Sequence, residues 1–200
     1  MNSLVKRCNW GNYNDQMKEY HDNEWGVPVH DDRLLFEFLI LEGAQAGLSW
    51  NTILQKRENF RKAFDNFDYK KIATYNEKKV EELLNNASII RNRLKIGAAV
   101  ANANAFLKVQ EEFGSFDNFI WEFIDHNSII NQFETLEDLP SKTEQSERIS
   151  KALKKRGFKF VGPTIIYSFM QAVGMTNDHT IDCFRYAEIN QVIKNNTNIQ

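Results

Sequence analysis

Apolar residues recur at intervals of three and four along most of this chain, which is the spacing that places them on one face of an α-helix. The segment LLFEFLILEG follows Asp31 and Asp32, either of which can cap a helix, and Gly43 or Gly47 can end it. The same spacing predicts three further helices, at TILQKRENFRKAF after Ser49 and Trp50, at Ile72 to Leu84 and at Ile89 to Phe113. Because the period-two alternation of half-buried strands is nearly absent, the pattern predicts an all-α protein.

The second half of the chain continues the helical pattern. Ser115 is placed to cap FDNFIWEFI, and residues 126–140 are predicted to form a loop. The residues Ser141 to Glu144 read as a capping box that opens SERISKALKKRG. The short turn GFKFVGP follows, and Pro163 then occupies the first position of the helix IIYSFMQAVG. The Asn-rich end IKNNTNIQ is predicted to be a frayed tail.

Composition limits the kind of protein this can be. The chain has 200 residues, 42% of them hydrophobic, which is enough for one domain with its own core. A net charge of −2 excludes a protein that is basic overall, so binding to nucleic acid would need clustered cations.

The start MNSLVKRCNW lacks the apolar core of a signal peptide, and no run approaches the roughly 18 apolar residues that cross a bilayer. We therefore expect a soluble cytoplasmic protein that makes no membrane contact.

The two cysteines lie near opposite ends of the chain, and each has a histidine nearby. His179 and Cys183 are four residues apart, which places them on one face of a helix or tight turn. Cys8 and His21 could complete a closed tetrahedral zinc site. The spacing is not that of a standard zinc finger, so four unrelated residues are an alternative. A disulfide between Cys8 and Cys183 is another, although a reducing compartment disfavours it.

Glu42 lies in an unusually apolar helical segment. Its neighbours three, four and seven residues back are Leu39, Phe38 and Leu35, so the carboxylate could be buried and in need of a hydrogen-bond partner. It could equally lie at the helix end and point to water. The glycine-spaced segment GAQAGLSW follows it and ends in Trp50, and a buried acid beside an aromatic ring suits a planar heterocycle.

Aromatic residues cluster near the amino-terminal cysteine. Trp10, Tyr20 and Trp25 could wall a stacking pocket, or they could be ordinary core residues.

Cations cluster in KALKKRGFKFVGP, at Lys151, Lys154, Lys155, Arg156 and Lys159. Gly157 and Gly162 flank the turn, and the start of the following helix offers backbone N–H groups that suit a phosphate. Such a contact would position DNA without reading its sequence. The alternative is a solvated basic face at the end of a helix.

Several long stretches together carry a family resemblance: RCNW (7–10), YHDNEWGVP (20–28), LEGAQAGLSW (41–50), IIRNRLKI (89–96), LKKRGFKFVGPTIIYSFMQAVG (153–174) and NDHTIDC (177–183). In register over residues 6 to 185, the chain resembles the 3-methyladenine DNA glycosylase I family of bacterial base-excision repair. The resemblance implies an all-α helix–hairpin–helix DNA glycosylase fold, with two helical lobes and a cleft between them. It implies one domain over residues 1–185, a hairpin at about 150–174 and a tail at 186–200.

The resemblance also implies roles for particular residues. Cys8, His21, His179 and Cys183 would hold one structural zinc ion, which joins residues 8–21 to 179–183 and is called here the zinc staple. Glu42 and Tyr20 would hydrogen-bond the excised base, Trp10 and Trp50 would stack on it, and Trp25 would lie nearby. Gln45, Gly47 and Leu48 would form a probe loop that enters the duplex. The hairpin residues Lys155, Gly157, Lys159 and Gly162, identified above from their cations and turn, would complete the DNA-binding set.

The chain departs from the family pattern at two positions. Met17 stands where family members often carry Tyr, which makes one pocket wall softer and less polar, and Ala44 stands where many have a second Gln. Asp178 lies where the wider superfamily places a catalytic Asp, but it adjoins His179, so Glu42 ranks above it.

The implied activity is that of a monomeric enzyme that flips out and hydrolyses 3-methyladenine from alkylated double-stranded DNA. No Lys is placed to act as a Schiff-base nucleophile, so we expect no strand cleavage. Two alternatives stay open at this point: a non-catalytic, zinc-stapled helix–hairpin–helix DNA-binding module, and a metallohydrolase with catalytic zinc.

Overall fold

The computed structural model describes residues 5–197, and its secondary structure is almost entirely helical. The α-helices are α1 (Asp15–Asn23), α2 (Asp32–Gln45), α3 (Trp50–Ala63), α4 (Tyr69–Ile72), α5 (Glu77–Asn85), α6 (Arg93–Phe113), α7 (Phe116–Trp121), α8 (Glu144–Lys155), α9 (Pro163–Ala172) and α10 (Phe184–Thr197). Short 3-10 helices lie at Asn9–Asn12, Asp65–Phe67, Glu122–Ile124 and Leu136–Asp138. Within residues 5–197, no helix is long and apolar enough to cross a membrane.

The predicted caps explain where several helices begin. The Asp31 carboxylate accepts a hydrogen bond from the Leu34 N–H at 2.8 Å, and Ser49 caps α3 in the same way. Pro163 occupies the first position of α9, directly after Gly162, as predicted. These side chains satisfy backbone N–H groups that have no partner inside the helix, so the local sequence determines the helix starts.

Two predicted helices are shorter than the apolar pattern indicates. The single helix predicted from Ile72 to Leu84 is wrong: α4 ends at Ile72, and α5 starts afresh after Asn76, whose side chain caps it. The helix predicted from Ile89 begins only at Arg93, because Asn92 accepts a hydrogen bond from the Lys95 N–H at 3.1 Å. In both places an Asn cap interrupts a run of apolar residues that periodicity alone would join.

The capping box of α8 lies two residues later than predicted. It consists of Thr143 and Ser146, each accepting from the other's backbone N–H, rather than Ser141 and Glu144.

The predicted loop at 126–140 contains a two-residue strand, β1 (Ile129–Ile130), which pairs in parallel with β2 (Thr176–Asn177).

The predicted C-terminal tail is largely helical. Helix α10 continues to Thr197, and its residues Ile189 and Ile193, four apart, are both buried. The Asn177 side chain also donates hydrogen bonds to the Tyr186 carbonyl and to Asn190. Burial of this apolar face makes 186–197 part of the domain, and residues 198–200 of the predicted tail lie outside the described residues.

Helix α2 lies at the centre of the protein, with α3, α6, α7 and α9 packed around it. Ten of its residues are buried, from Leu35 to Ala44. Gly43 allows the turn between α8 and α9 to approach, since a Cβ at Gly43 would lie 3.2 Å from that of Phe160. A cleft opens where the C-terminal end of α2 lies between α1 and α3 on one side and α9 on the other.

Candidate active site and metal site

The cleft contains a cavity of about 280 Å³. Its walls come from parts of the chain that are far apart in sequence: Trp10, Met17, Tyr20, Trp25, Glu42, Gln45, Trp50, Leu136, Leu139, Ser168 and Gln171. All the residues predicted to contact a base are therefore brought together around one space. That volume and a mostly apolar lining with few polar groups are typical of a small-molecule site.

Glu42 is the acidic group of this cavity. It lies in the last turn of α2 and is only 4% exposed, so it does not point to bulk water. Its Oε2 atom accepts no hydrogen bond from residues 5–197. Burial raises the pKa of this carboxyl group to about 8, because no cation compensates for the lost hydration of the charged form.

Aromatic rings form much of the remaining wall. The rings of Trp10 and Trp25 meet edge to face with centroids 5.0 Å apart, and Tyr20 lies 5.2 Å from Trp50. Burial, followed by the nearby charge of Glu42, raises the pKa of the Tyr20 hydroxyl, so Tyr20 stays protonated and able to donate. The Trp50 Nε1 atom is buried and has no hydrogen-bond partner in the described part of the chain.

Four side chains from the two ends of the chain converge beside this cavity. Cys8, His21, His179 and Cys183 are all buried, and their ligand atoms lie within 4.8 Å of one another. The Cys8 Sγ lies 3.6 Å from His179 Nδ1, and the Cys183 Sγ lies 3.5 Å from His21 Nε2. The two cysteines are not joined in a disulfide. Two sulfur and two imidazole ligands at these separations could hold a tetrahedral metal ion.

Neighbouring groups hold both imidazole rings in the orientation a metal would need. The His179 Nε2–H donates to the Trp25 carbonyl at 3.1 Å, which leaves Nδ1 facing the thiols. The His21 Nδ1–H donates to Asp22 at 2.8 Å, and Arg7 in turn holds the Asp22 carboxylate. Such outer partners fix the ring tautomer in metal sites. The contact of His179 with Trp25 also joins this cluster to the cavity wall.

The predicted probe loop follows Glu42 directly. Gln45 ends α2 and lines the cavity, while Gly47 and Leu48 are exposed beyond it. Gly47 has a φ of +77°, which L-residues rarely adopt, and nothing lies within 4 Å of the position its Cβ would take. Leu48 is 40% exposed, so an apolar side chain projects from the loop beside the cavity.

The predicted hairpin is formed by α8, the turn at 156–162 and α9. Lys155 is exposed at the end of α8, Gly157 and Lys159 are exposed on the turn, and Gly162 is half-buried just before α9. The Lys159 N–H is not free to bind a phosphate, because it donates to the Asn102 side chain at 2.7 Å.

Comparison with known proteins identifies the family. A sequence model described as methyladenine glycosylase matches residues 10–186. The chain is also 50% identical over 182 residues to DNA-3-methyladenine glycosylase 1 of Escherichia coli strain K12, covering 91% of this chain and 97% of that protein. This chain belongs to the methyladenine glycosylase family.

Solved structures support the same assignment. The crystal structure of a 3-methyladenine DNA glycosylase I superimposes with a TM-score of 0.87 at 52% identity, covering 90% of this chain and 98% of that chain. The 3-methyladenine DNA glycosylase I of Staphylococcus aureus, solved to explain 3-methyladenine recognition, has a TM-score of 0.87 at 35% identity. It covers 91% of this chain and 97% of that one. The predicted all-α glycosylase fold is confirmed.

The two positions at which the resemblance implied a departure, Met17 and Ala44, occupy different places. Met17 lines the cavity and is almost fully buried, so it contributes a flexible apolar wall. The Ala44 side chain does not line the cavity, but its carbonyl oxygen accepts a hydrogen bond from Lys95.

Asp178 of this glycosylase lies outside the cavity lining and is fully buried. Four side chains donate to its carboxylate: Asn131, Tyr167, Gln171 and Thr176. Because these four hydrogen bonds occupy the lone pairs of its carboxylate, Asp178 is held as an internal acceptor, while its placement below Glu42 in the chemistry stays a prediction.

Sequence reasoning missed four residues of the glycosylase cavity, namely Leu136, Leu139, Ser168 and Gln171. Each pair is spaced by three, so each pair lies on one face of a helical turn. That spacing was visible in the sequence, but nothing local indicated that these faces point into a cavity.

Proposed function

We propose that this protein is a DNA repair enzyme that removes 3-methyladenine from alkylated double-stranded DNA. The observation that carries the proposal is the buried Glu42 carboxylate, unpartnered among the described residues, in a cavity walled by aromatic rings. The relatives named above carry this activity in their names, and the S. aureus structure concerns recognition of this base.

Charge explains how the cavity would select the damaged base. Methylation at N3 makes the adenine of DNA cationic, and the faces of Trp10, Tyr20 and Trp50 attract a cation by about 0.5–2 kcal/mol each. Glu42 would accept a hydrogen bond from the exocyclic amine and favour the positive charge. Undamaged adenine is neutral, so it would lose both electrostatic contributions although its shape is nearly the same.

The chemistry follows from the same charge. When the bond between C1′ and the base nitrogen breaks, its electron pair neutralises the cationic base, so the base leaves without being protonated. Water then adds to C1′ and releases a proton. The enzyme mainly needs to hold the nucleotide outside the duplex, which costs a few kcal/mol of unstacking. No Lys of residues 5–197 is among those that line the cavity, so we expect no Schiff base and an intact DNA strand.

Two exposed segments would hold the DNA during this reaction. The probe loop would insert Gly47 and Leu48 into the gap left by the flipped nucleotide, with Gln45 at its base. The hairpin residues Lys155, Gly157, Lys159 and Gly162 would contact the phosphate backbone. These contacts position the duplex without reading its sequence, which suits an enzyme that finds damage anywhere.

Cys8, His21, His179 and Cys183 would hold one structural zinc ion. The two sulfur and two nitrogen ligands, their complete burial and the oriented imidazoles support this proposal. Such an ion would link residues 8–21 to residues 179–183, and four protein ligands would leave no open position for a reacting water. Its contribution would therefore be stability, rather than the chemistry that a catalytic zinc would supply.

The deciding experiment incubates the purified protein with methylated duplex DNA and measures released bases by chromatography. We expect free 3-methyladenine and an unbroken strand on a denaturing gel. A non-catalytic DNA-binding module would instead bind the duplex in a strongly salt-dependent way and release no base. Sedimentation at the same concentration tests the expected monomer, and cell fractionation tests the expected cytoplasmic location.

A further inference from the structure

Lys95 holds the segment that carries the probe loop. It lies in the first turn of α6, and its Nζ donates to the carbonyl of Ala44 at 2.8 Å and to that of Ala46 at 2.7 Å. These carbonyls belong to the C-terminal end of α2, where helix carbonyls have no partner within the helix and carry partial negative charge. In residues 5–197 no carboxylate forms an ion pair with Lys95, so its two observed hydrogen bonds both serve the loop.

Asn102 makes an equivalent contact with the hairpin. Its side-chain oxygen accepts from the Lys159 N–H at 2.7 Å, and its amide donates to the Lys159 carbonyl at 3.0 Å. Asn102 is only 3% exposed, so the buried end of this pair of bonds is held in place by the surrounding helix packing. The two bonds hold the turn at the residue before Phe160, whose φ of +54° marks a constrained backbone.

Both contacts come from the same side of one helix. Lys95 and Asn102 are seven residues apart, which is two turns of α6 and about 10 Å along its axis. The hairpin turn also lies against the helix that carries the probe loop, since a Cβ at Gly43 of α2 would come within 3.2 Å of the Phe160 Cβ. Helix α6 thus connects both exposed segments proposed to grip DNA, and α6 itself does not line the cavity.

We propose that Lys95 and Asn102 are positioning residues that fix the separation between the probe loop and the hairpin before DNA binds. The inference rests on the proposed DNA-binding roles of these two segments. Lys95 acts through the backbone of the loop, so that Leu48 is already placed to fill the gap beside a flipped nucleotide. Asn102 does the same for the phosphate-binding turn. Preordering lowers the entropy that the protein must lose on binding.

The test for Lys95 uses Lys95→Met, which keeps the alkyl stem and removes the donors. The probe is a duplex with a central tetrahydrofuran abasic-site analogue, which offers the gap without chemistry. We expect binding to weaken about tenfold, while affinity for free 3-methyladenine stays within about twofold. Affinity for an undamaged duplex also stays within about twofold, since no gap is filled there.

Salt dependence separates positioning from a direct phosphate contact. Loss of one phosphate contact lowers the slope of log K against log salt by about 0.9, whereas a positioning role leaves the slope unchanged. Lys108→Met is the matched control, since it removes an exposed cation from the same helix, and we expect it to bind as wild type does. Lys95→Arg, which can still donate to both carbonyls, should restore binding to within about threefold of wild type.

A double-mutant cycle shows whether Lys95 acts through the Leu48 side chain of the probe loop. In a Leu48→Ala background, Lys95→Met should cost less than about twofold, because the side chain that it positions is gone. The proposal would be overturned if the losses of affinity in Lys95→Met and Leu48→Ala multiply in the double variant. It would also be overturned if Lys95→Met lowers the salt slope or loses affinity for the free base.

Asn102→Ser should weaken abasic and undamaged duplexes to the same degree, and an effect confined to the abasic duplex would contradict its assignment to the hairpin. Base release by the wild type tests the proposed function separately, since it does not depend on the binding affinities of the variants.

Discussion

Glu42 and Trp50 line the same cavity, and each carries a buried polar atom, an acceptor and a donor respectively, that has no partner among residues 5–197. The Glu42 Oε2 atom accepts no hydrogen bond and the Trp50 Nε1–H donates none within residues 5–197, although both atoms are buried. A buried polar atom left unpaired costs about 1–3 kcal/mol, so two of them around one space indicate a ligand that completes them. An adenine edge, which carries a donor beside an acceptor, has the required complementarity.

Replacement of Glu42 by Gln should slow base release. The substitution keeps size and one acceptor but removes the charge, and a hydrogen bond to a charged group contributes about 1.5–3 kcal/mol, so kcat/KM should fall about 10- to 100-fold. Chromatographic measurement of 3-methyladenine released from methylated duplex gives the rate. Glu111→Gln, an exposed charge change on α6, is the control. Equal rates for Glu42→Gln and wild type would remove Glu42 from the mechanism.

Base release should also increase with pH. Burial raises the pKa of Glu42 to about 8, so in the free enzyme its carboxylate form is the minority below that pH and increases about tenfold between pH 6 and pH 7 and more slowly above it. Because only the ionised form of Glu42 attracts the cationic base, kcat/KM should rise up to about pH 8 and then level off. The profile is measured on methylated duplex after subtraction of spontaneous base loss. Glu42→Gln should give a flat profile, and a wild-type profile equally flat would show that ionisation of Glu42 is irrelevant.

Metal removal should lower stability before it lowers the rate of chemistry. We expect about one zinc per chain by elemental analysis, and a chelator should lower Tm by at least about 10 °C, since structural zinc contributes several kcal/mol to folding. Cys8→Ser should show a similar decrease without chelator. Below the new Tm, the protein that remains folded should still release base. Loss of excision with an unchanged Tm would instead indicate a catalytic metal.

Gly174 should tolerate no side chain. A Cβ there would lie 2.4 Å from the backbone of Val27 and Pro28, and its φ is +70°, so Gly174→Ala should lower the free energy of unfolding by at least about 3 kcal/mol. Gly97 is the matched control: it lies within α6, nothing lies within 4 Å of its Cβ position, and Gly97→Ala should stabilise by about 0.5–1 kcal/mol. Urea unfolding measures both, and a shift of the same sign in the two variants would contradict this account.

Local features of the fold were predictable because the interactions that create them are local. Asp31 and Ser49 cap helices with side chains that reach only three residues ahead, and Pro163 begins α9 because its ring already has a helical φ. Where prediction failed, two local preferences competed. Asn76 and Asn92 each cap a new helix inside an apolar run, and the spacing of apolar residues does not show that a helix begins there.

Some features of the candidate site were also predictable from the sequence, and others were not. The residue types alone indicated an acid near aromatic rings and a set of two Cys and two His, and the family resemblance assigned their roles. Whether Glu42 pointed to water or to a cavity was open, because both outcomes fit one helix position. Leu136 and Gln171 were missed because no signal in their own segments indicates that they face Glu42.

By itself, the sequence determined the helical content, most helix starts and the chemical groups available, since these depend on residues a few positions apart. Only the tertiary structure decided that Glu42 is buried without a partner for its Oε2 atom among residues 5–197, that two Cys and two His from the two ends of the chain converge, and that Lys95 bonds to the segment carrying the probe loop. Each of these depends on contacts between residues that are tens to more than a hundred positions apart. Helix packing around α2 creates those contacts, and no local preference specifies them.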